Sequence, residues 1–473
     1  MSKKNLKILM ASAEVAPLAK AGGLADVVSS LPPALQKLGI DVRIIMPKYG
    51  FISSKRWQLK RLTTLTIKSA GHNNKISLWQ GALPGTSTPI YLIGSSYFSA
   101  KQIYDLGPNS GSKNAEKFLF FSLAVVKSLS ALNFSPDILH CHDYHAALII
   151  DLLKVETPET KIKTIYTIHN LNYQGITDPT VLEIANLSTN SLKTLSEDAR
   201  NGDINFMAQG ILNADLVTTV SPTYAKEITT SFYGARLDNL LRRRKKDLVG
   251  ILNGIDEKRF DPRHDPLIKE NYGLSNLSKK KANKIFLQKL VGLPPESKRP
   301  LVGLISRLTW QKGIDLIGEE AIKTGAQFVF LGTGASQYEK HLRQLARRYP
   351  LQVSAQIKFD LKLAQQIYAG ADIFLMPSRF EPCGLGQMYA MRYGTIPVVR
   401  ATGGLADTVT SQVGFRFKEF SSVALGRALR RAVKLYLHQP HCWQEMQRAG
   451  MKKDFSWRRS AHQYVDLYRK LIK

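Results

Sequence analysis

Residues 6–11, Leu6-Lys7-Ile8-Leu9-Met10-Ala11, lead through a loop into Lys20-Ala21-Gly22-Gly23-Leu24-Ala25-Asp26 and on into Val27-Val28-Ser29-Ser30-Leu31. An apolar run of strand length, a glycine turn and a run of helix character make one strand-turn-helix step. The step returns near the far end of the chain, where Thr395-Ile396-Pro397-Val398-Val399 precedes Ala401-Thr402-Gly403-Gly404-Leu405-Ala406-Asp407. In open parallel sheets, ligands bind beyond the carboxyl ends of the strands. Paired glycines let the backbone approach a ligand, and a helix start offers N–H groups and partial positive charge to an anion. Two copies of Gly-Gly-Leu-Ala-Asp, one per half, therefore predict two turns lining one cleft. Glycines serving only a tight turn are the alternative for either copy.

Further apolar runs surround the first step: VRIIMP (42–47), IYLIG (90–94), DILHC (137–141), TIYTIH (164–169) and LVTTVS (216–221). Helix-like stretches such as AEKFLFFSLAVVKSLSAL (115–132) separate them. The pattern pauses over residues 235–300 and restarts with PLVGLIS (300–306), QFVFLG (327–332), DIFLMP (372–377) and TIPVV. Strands alternating with helices imply crossover units and parallel sheets. The expected fold class is α/β, with two Rossmann-like, doubly wound domains and a cleft between them. The expected bounds are residues 1–248 and 249–455. Residues 456–473 follow as a helix packing back on the first domain, because Trp457, Ala461, Tyr464, Val465, Tyr468 and Leu471 recur at three- and four-residue steps.

A chain of 473 residues exceeds the usual size of one core, in keeping with two domains. No apolar run approaches a membrane span, and the apolar part of MSKKNLKILMASAEV is too short for a secretory signal. Three scattered cysteines, Cys141, Cys383 and Cys442, argue for a reducing compartment, so a cytoplasmic location is expected. Basic residues outnumber acidic ones, 66 − 37 = +29, which favours an acidic partner or substrate. The runs at 242–246 and 279–281 have no interleaved aromatics. No nucleic-acid motif accompanies them, so solvated surface is the expected role and nucleic acid is not an expected partner.

Candidate residues cluster after the strands. Lys20 could fix a charge beside the first glycine turn. Arg307 and Lys312 sit on the loop after PLVGLIS, where a guanidinium and an ammonium suit a diphosphate; two surface cations are the plainer alternative. The run His140-Cys141-His142-Asp143-Tyr144-His145 admits a metal, a cleft-lining role or a structural one. Lining a cleft is favoured because the run ends a buried strand. Thr167-Ile168-His169-Asn170 ends the next strand in the same way. Ser378-Arg379-Phe380-Glu381-Pro382-Cys383-Gly384-Leu385-Gly386-Gln387 follows DIFLMP and opens a helix. A carboxylate for sugar hydroxyls beside main-chain amides for phosphate is what a nucleotide-sugar site needs; a glutamate capping a helix is the plainer alternative.

Eight stretches then occur in one order: KAGGLADVV, HCHDYHAALI, TIHNLNYQG, VSPTYAKEI, LNGIDEKRFDP, SRLTWQKGIDL, SRFEPCGLGQ and TGGLADTV. Together they resemble bacterial glycogen synthase and plant starch synthase, the glucan synthases that use ADP-glucose. The resemblance runs from about residue 6 to the last helix. It implies the GT-B fold and retaining transfer of glucose from ADP-glucose to the non-reducing end of an α-1,4-glucan. It implies no metal and no cofactor, ADP-glucose being a substrate. By motif, Lys20, Gly22 and Gly23 resemble the donor-phosphate turn. Arg307 and Lys312 match the pair that neutralises the departing diphosphate, and Gly384 and Leu385 would donate amides to the distal phosphate beside Cys383. Glu381 would hold glucose hydroxyls, with His169, Asp143 and Asn253 lining the pocket. Glu14, Asp26 and Tyr104 match toward the acceptor side.

A related clan carries a second glutamate eight positions after the first. Tyr389 stands there instead, which separates this chain from the sucrose-phosphate synthases. Other positions depart from the resemblance. Ala21 replaces a threonine, Gln209 stands for a lysine, and Phe359 replaces a tyrosine expected to stack on adenine, keeping the ring and losing the hydroxyl. The stretch before Gly414-Phe415 is short, and the basic charge is atypical.

Overall fold

The structure, a computed structural model, describes residues 5–107 and 109–473. The chain divides into two compact units: Met1–Val220, Ala225–Gly254 and Trp457–Lys473 form the first, Ser221–Tyr224 and Ile255–Ser456 the second.

In the first unit the strands are β1 (Lys7–Ala11), β2 (Asp41–Pro47), β3 (Lys60–Ser69), β4 (His72–Ala82), β5 (Pro89–Gly94), β6 (Ile138–His142), β7 (Lys163–Ile168), β8 (Ile176–Thr177), β9 (Ile204–Asn205), β10 (Leu216–Thr219) and β11 (Leu248–Gly250). The main sheet runs β11-β10-β7-β6-β1-β2-β5-β4-β3, while β8 and β9 pair with each other. Neighbours from β11 through β5 are parallel; β4 and β3 are antiparallel additions at one edge. The central strands are apolar on both faces because helices cover both. One of those layers comes from the end of the chain. Trp457, Ala461, Tyr464, Val465 and Tyr468, on the helix Trp457–Leu471, share a core with Ile8, Met10, Leu31 and Leu35. Ser460 Oγ donates to Leu252 O at 2.5 Å. Gly254 lies so close that an added Cβ would sit 2.6 Å from the Trp457 main-chain N.

In the second unit β12 (Leu301–Ile305), β13 (Gln327–Leu331), β14 (Val353–Gln356), β15 (Ile373–Met376), β16 (Ile396–Arg400) and β17 (Phe415–Phe417) form one parallel sheet in the order β14-β13-β12-β15-β16-β17. The chain winds outward from β12 in one direction and from β15 in the other. The crevice of such a sheet opens where the winding reverses, between β12 and β15. In the first unit the corresponding reversal falls between β1 and β6.

Candidate active site

The first unit gathers its candidates beyond β1, β6 and β7. Glu14 is buried, and its Oε2 accepts from the main-chain N–H of Ala21 at 2.7 Å and of Gly22 at 2.8 Å. Its Oε1 accepts from the Tyr104 hydroxyl at 2.5 Å. Burial and the Glu14 carboxylate hold the Tyr104 phenol well above its usual range. Glu14 thus takes two amides that the sequence offered to a ligand and builds the turn around itself. The helix Gly23–Gln36 begins at Gly22 with no side-chain cap. An added Cβ at Gly22 or Gly23 would meet no atom within 4 Å, so the outer side of this turn is open. Lys20 Nζ pairs with Asp26 at 2.5 and 2.7 Å, joining two residues that the motifs had assigned to opposite substrates.

Asp143 follows β6 with φ 55° and ψ −178°, a conformation that glycine tolerates and other residues hold only under strain. Its Oδ1 accepts from the His169 main-chain N–H at 2.7 Å, tying the end of β6 to the end of β7. Burial pushes the Asp143 carboxyl up to about 7, against the opposing pull of the His169 and Asn170 N–H groups. His169 Nε2 lies 3.0 Å from His142 Nδ1. Burial lowers both rings, so each is a neutral imidazole and one donates its N–H to the bare nitrogen of the other. Asn253, beyond β11 and two strands from β7, is buried with its Oδ1 unpartnered among the described residues.

The histidine run divides. His140 faces inward, 2.6 Å from Thr167 Oγ1 and 2.9 Å from Tyr468 Oη, which is the structural role. Among the described residues, the side chains with metal-ligand spacing are His441, Cys442 and Glu445, all exposed and none a candidate above.

In the second unit the loops after β12 and β15 are zipped together. The Arg379 N–H donates to Gln311 O at 2.8 Å, and Gln311 Nε2 donates to Phe380 O at 3.3 Å. Gly313, at φ 65°, lies so close to Pro377 that an added Cβ would sit 2.1 Å from its carbonyl oxygen. This docking brings Lys312 Nζ to 2.6 Å from Glu381 Oε2, the oxygen that also accepts from Ser378 Oγ at 2.9 Å. Ser378 was overlooked, although it stands three residues before Glu381 on the same loop. Arg307 is exposed and makes no ion pair among the described residues. Cys383 is buried, and Gly384, at φ 71°, turns the chain into Leu385, the cap of the helix Gly386–Arg392. The Met388 and Tyr389 N–H groups both donate to Leu385 O at 3.0 Å, closing the first turn on the cap residue. Phe359, between β14 and the helix Leu361–Gly370, is 82% exposed and presents its ring to solvent.

At the second Gly-Gly-Leu-Ala-Asp the glycines meet close packing, as the tight-turn alternative expects. An added Cβ at Gly403 would sit 2.0 Å from Glu381 O, and one at Gly404 2.1 Å from Cys383 O. These glycines seat the loop that carries Glu381. Asp407 accepts from Thr223 N at 2.9 Å and Thr223 Oγ1 at 2.6 Å. Gln209 spends its amide internally, donating to Asp198 Oδ2 at 2.8 Å and Thr194 O at 3.2 Å.

Two family descriptions match the chain: the starch synthase catalytic domain over residues 7–243 and glycosyl transferases group 1 over residues 290–449. The glycogen synthase of Thermotoga maritima is 44% identical, with 99% of each chain aligned. That of Syntrophotalea carbinolica is 42% identical, again with 99% of each covered. The catalytic domain of starch synthase IV from Arabidopsis thaliana, solved bound to ADP and acarbose, superimposes with a TM-score of 0.89 at 34% identity over 99% of each chain. A sucrose-phosphate synthase from Thermosynechococcus elongatus shares the fold, with a TM-score of 0.62 at 19% identity over 99% of each chain. Two doubly wound units, each with its polar residues at the winding reversal, and full-length similarity to these enzymes agree: the chain belongs to the glycogen synthase and starch synthase family of GT-B glycosyltransferases.

Proposed function

We propose that this glycosyltransferase elongates glycogen or a similar α-1,4-glucan in the cytoplasm, moving glucose from ADP-glucose to the non-reducing end with retention and without metal. The observation that carries the site assignment is the contact between Lys312 and Glu381. Lys312 and Arg307 neutralise the charge that grows on the departing diphosphate, the main lever when the leaving group is an anion. Glu381 accepts from glucose hydroxyls, the Gly384 and Leu385 amides receive the distal phosphate beside Cys383, and Phe359 covers the adenine. Lys20, Gly22 and Gly23 contribute from the open glycine turn. His169, Asp143 and Asn253 line the glucose pocket, and Glu14, Asp26 and Tyr104 stand toward the acceptor. No side chain is assigned as nucleophile; attack on the face from which the diphosphate leaves accounts for retention.

The test is incubation with ADP-glucose or UDP-glucose, glycogen and a chelator, with chain extension and nucleotide release measured. Extension with ADP-glucose is expected, undiminished by the chelator. Extension with UDP-glucose alone would reassign the donor, and no extension with either would end the proposal.

A further inference from the structure

The edge of the first unit carries charge that glucosyl transfer does not use. From Val42 to Tyr104 the sequence holds nine lysines and arginines and no aspartate or glutamate. Three of these cations, Lys48, Arg61 and Lys75, line one open cavity of about 440 Å³, together with Ser77, Trp79 and Ser95.

The strands are shaped to gather them. Arg61 pairs with Trp79 and Thr64 with Ser77, and the register shifts between Arg61 and Thr63. In an unbroken strand residues 61 and 64 would face opposite ways; the bulge turns Arg61 onto the face of Thr64. On β4, Lys75, Ser77 and Trp79 alternate onto that face as well. Gly94 lies opposite Ser77, and a Cβ there would sit 2.6 Å from Ser77 Oγ, so the floor has no room for a side chain. Lys48 Nζ and the Arg61 guanidinium lie 5.2 and 4.9 Å from the Trp79 ring centroid, which holds two like charges at one cavity. Burial and the neighbouring Arg61 charge lower the Lys48 pKa. The indole N–H donates to Ser77 Oγ at 2.9 Å, and Ser95 Oγ is buried without a partner among the described residues.

Like charges brought together with no lining carboxylate call for a bound anion. Three cations with nearby hydroxyls match an anion that has several terminal oxygens, as a phosphate monoester does. The volume exceeds what a bare phosphate fills and suits one sugar ring. We propose that this cavity binds a phosphate monoester carried on a body the size of one hexose.

The experiment is calorimetric titration at low ionic strength with glucose 6-phosphate, inorganic phosphate, neutral glucose and a single-stranded oligonucleotide. The wild-type chain is compared with an Arg61→Gln/Lys75→Gln variant, whose unfolding temperature and basal glucan extension should be unchanged because both side chains are exposed. Saturable binding of the hexose phosphate, no binding of glucose, and affinity roughly tenfold or more weaker in the variant are expected, since charged hydrogen bonds are the strong ones. Equal affinity for inorganic phosphate, lost in the variant, would also support the site and assign recognition to the phosphoryl group alone. The proposal is overturned by no saturable binding of either phosphate. It is equally overturned by binding that the variant retains, or by oligonucleotide binding that the variant loses while neither phosphate binds.

Discussion

Lys312 Nζ stands 2.6 Å from Glu381 Oε2 although 69 residues separate them in sequence. The two loops that carry them leave β12 and β15, the neighbouring strands at which the winding of the second sheet reverses. The cation proposed for the leaving group and the carboxylate proposed for the sugar are thus set by one piece of architecture. Neither can be removed without changing the charge that the other feels.

Lys312→Ala should lower turnover with ADP-glucose by about 10²–10³-fold, the usual loss when one preorganised donor to a developing anion is removed. Nucleotide release under saturating donor is the measurement. Turnover close to wild type would refute the role.

Glu381→Ala should cripple transfer and weaken donor binding. In the double variant with Lys312→Ala the losses should fall short of the sum, because residues in direct contact are coupled. Additive losses in kcat/KM would show that the contact has no catalytic meaning.

Glu14→Ala deprives the Ala21 and Gly22 amides and the Tyr104 hydroxyl of their acceptor. The amides sit near the surface and can find water, so the expected loss of stability is about 1–2 kcal/mol. Glu14→Gln keeps one acceptor oxygen and should lose less. Urea unfolding of the three proteins checks the order; equal stability of all three would mean the turn does not depend on this carboxylate.

His140→Leu should cost about 1–3 kcal/mol at pH 7.5 by breaking the links to Thr167 and Tyr468. Burial holds the His140 ring down at about 3, against 6.5 when unfolded. Between those values the unfolded chain takes a proton at this position that the folded chain refuses. Wild-type stability therefore falls as pH drops below about 6.5, by up to roughly 1.4 kcal/mol per pH unit from this ring. The leucine variant lacks that loss, so its deficit should shrink at pH 5. A deficit constant from pH 7.5 to 5 would contradict the assignment.

The strands that were readable from the sequence are those covered on both faces, such as Leu301–Ile305 and Ile373–Met376, because burial on both sides forces continuous apolar runs. The hairpin β3–β4 escaped notice. Lys60–Ser69 lies at the edge with one face in water and alternates polar with apolar residues. Phe415–Phe417 is too short to carry a pattern. The loops bearing Lys312 and Glu381 were readable because charged residues follow directly on apolar strands. Their contact was not, since it depends on which strands become neighbours. The two Gly-Gly-Leu-Ala-Asp stretches show the limit from the other side: identical letters form an open turn at Gly22 and a tight packing joint at Gly403, and the neighbours that decide lie far off in sequence.

The hydrogen bond between His140 and Tyr468 spans 328 positions. During synthesis the first unit's sheet emerges long before the helix that finishes it, and the nascent chain must wait with the face of β1 and β6 uncovered. A ribosome stalled anywhere in the second unit would hold a first unit lacking one layer of its core, a natural substrate for chaperones that shield apolar surface.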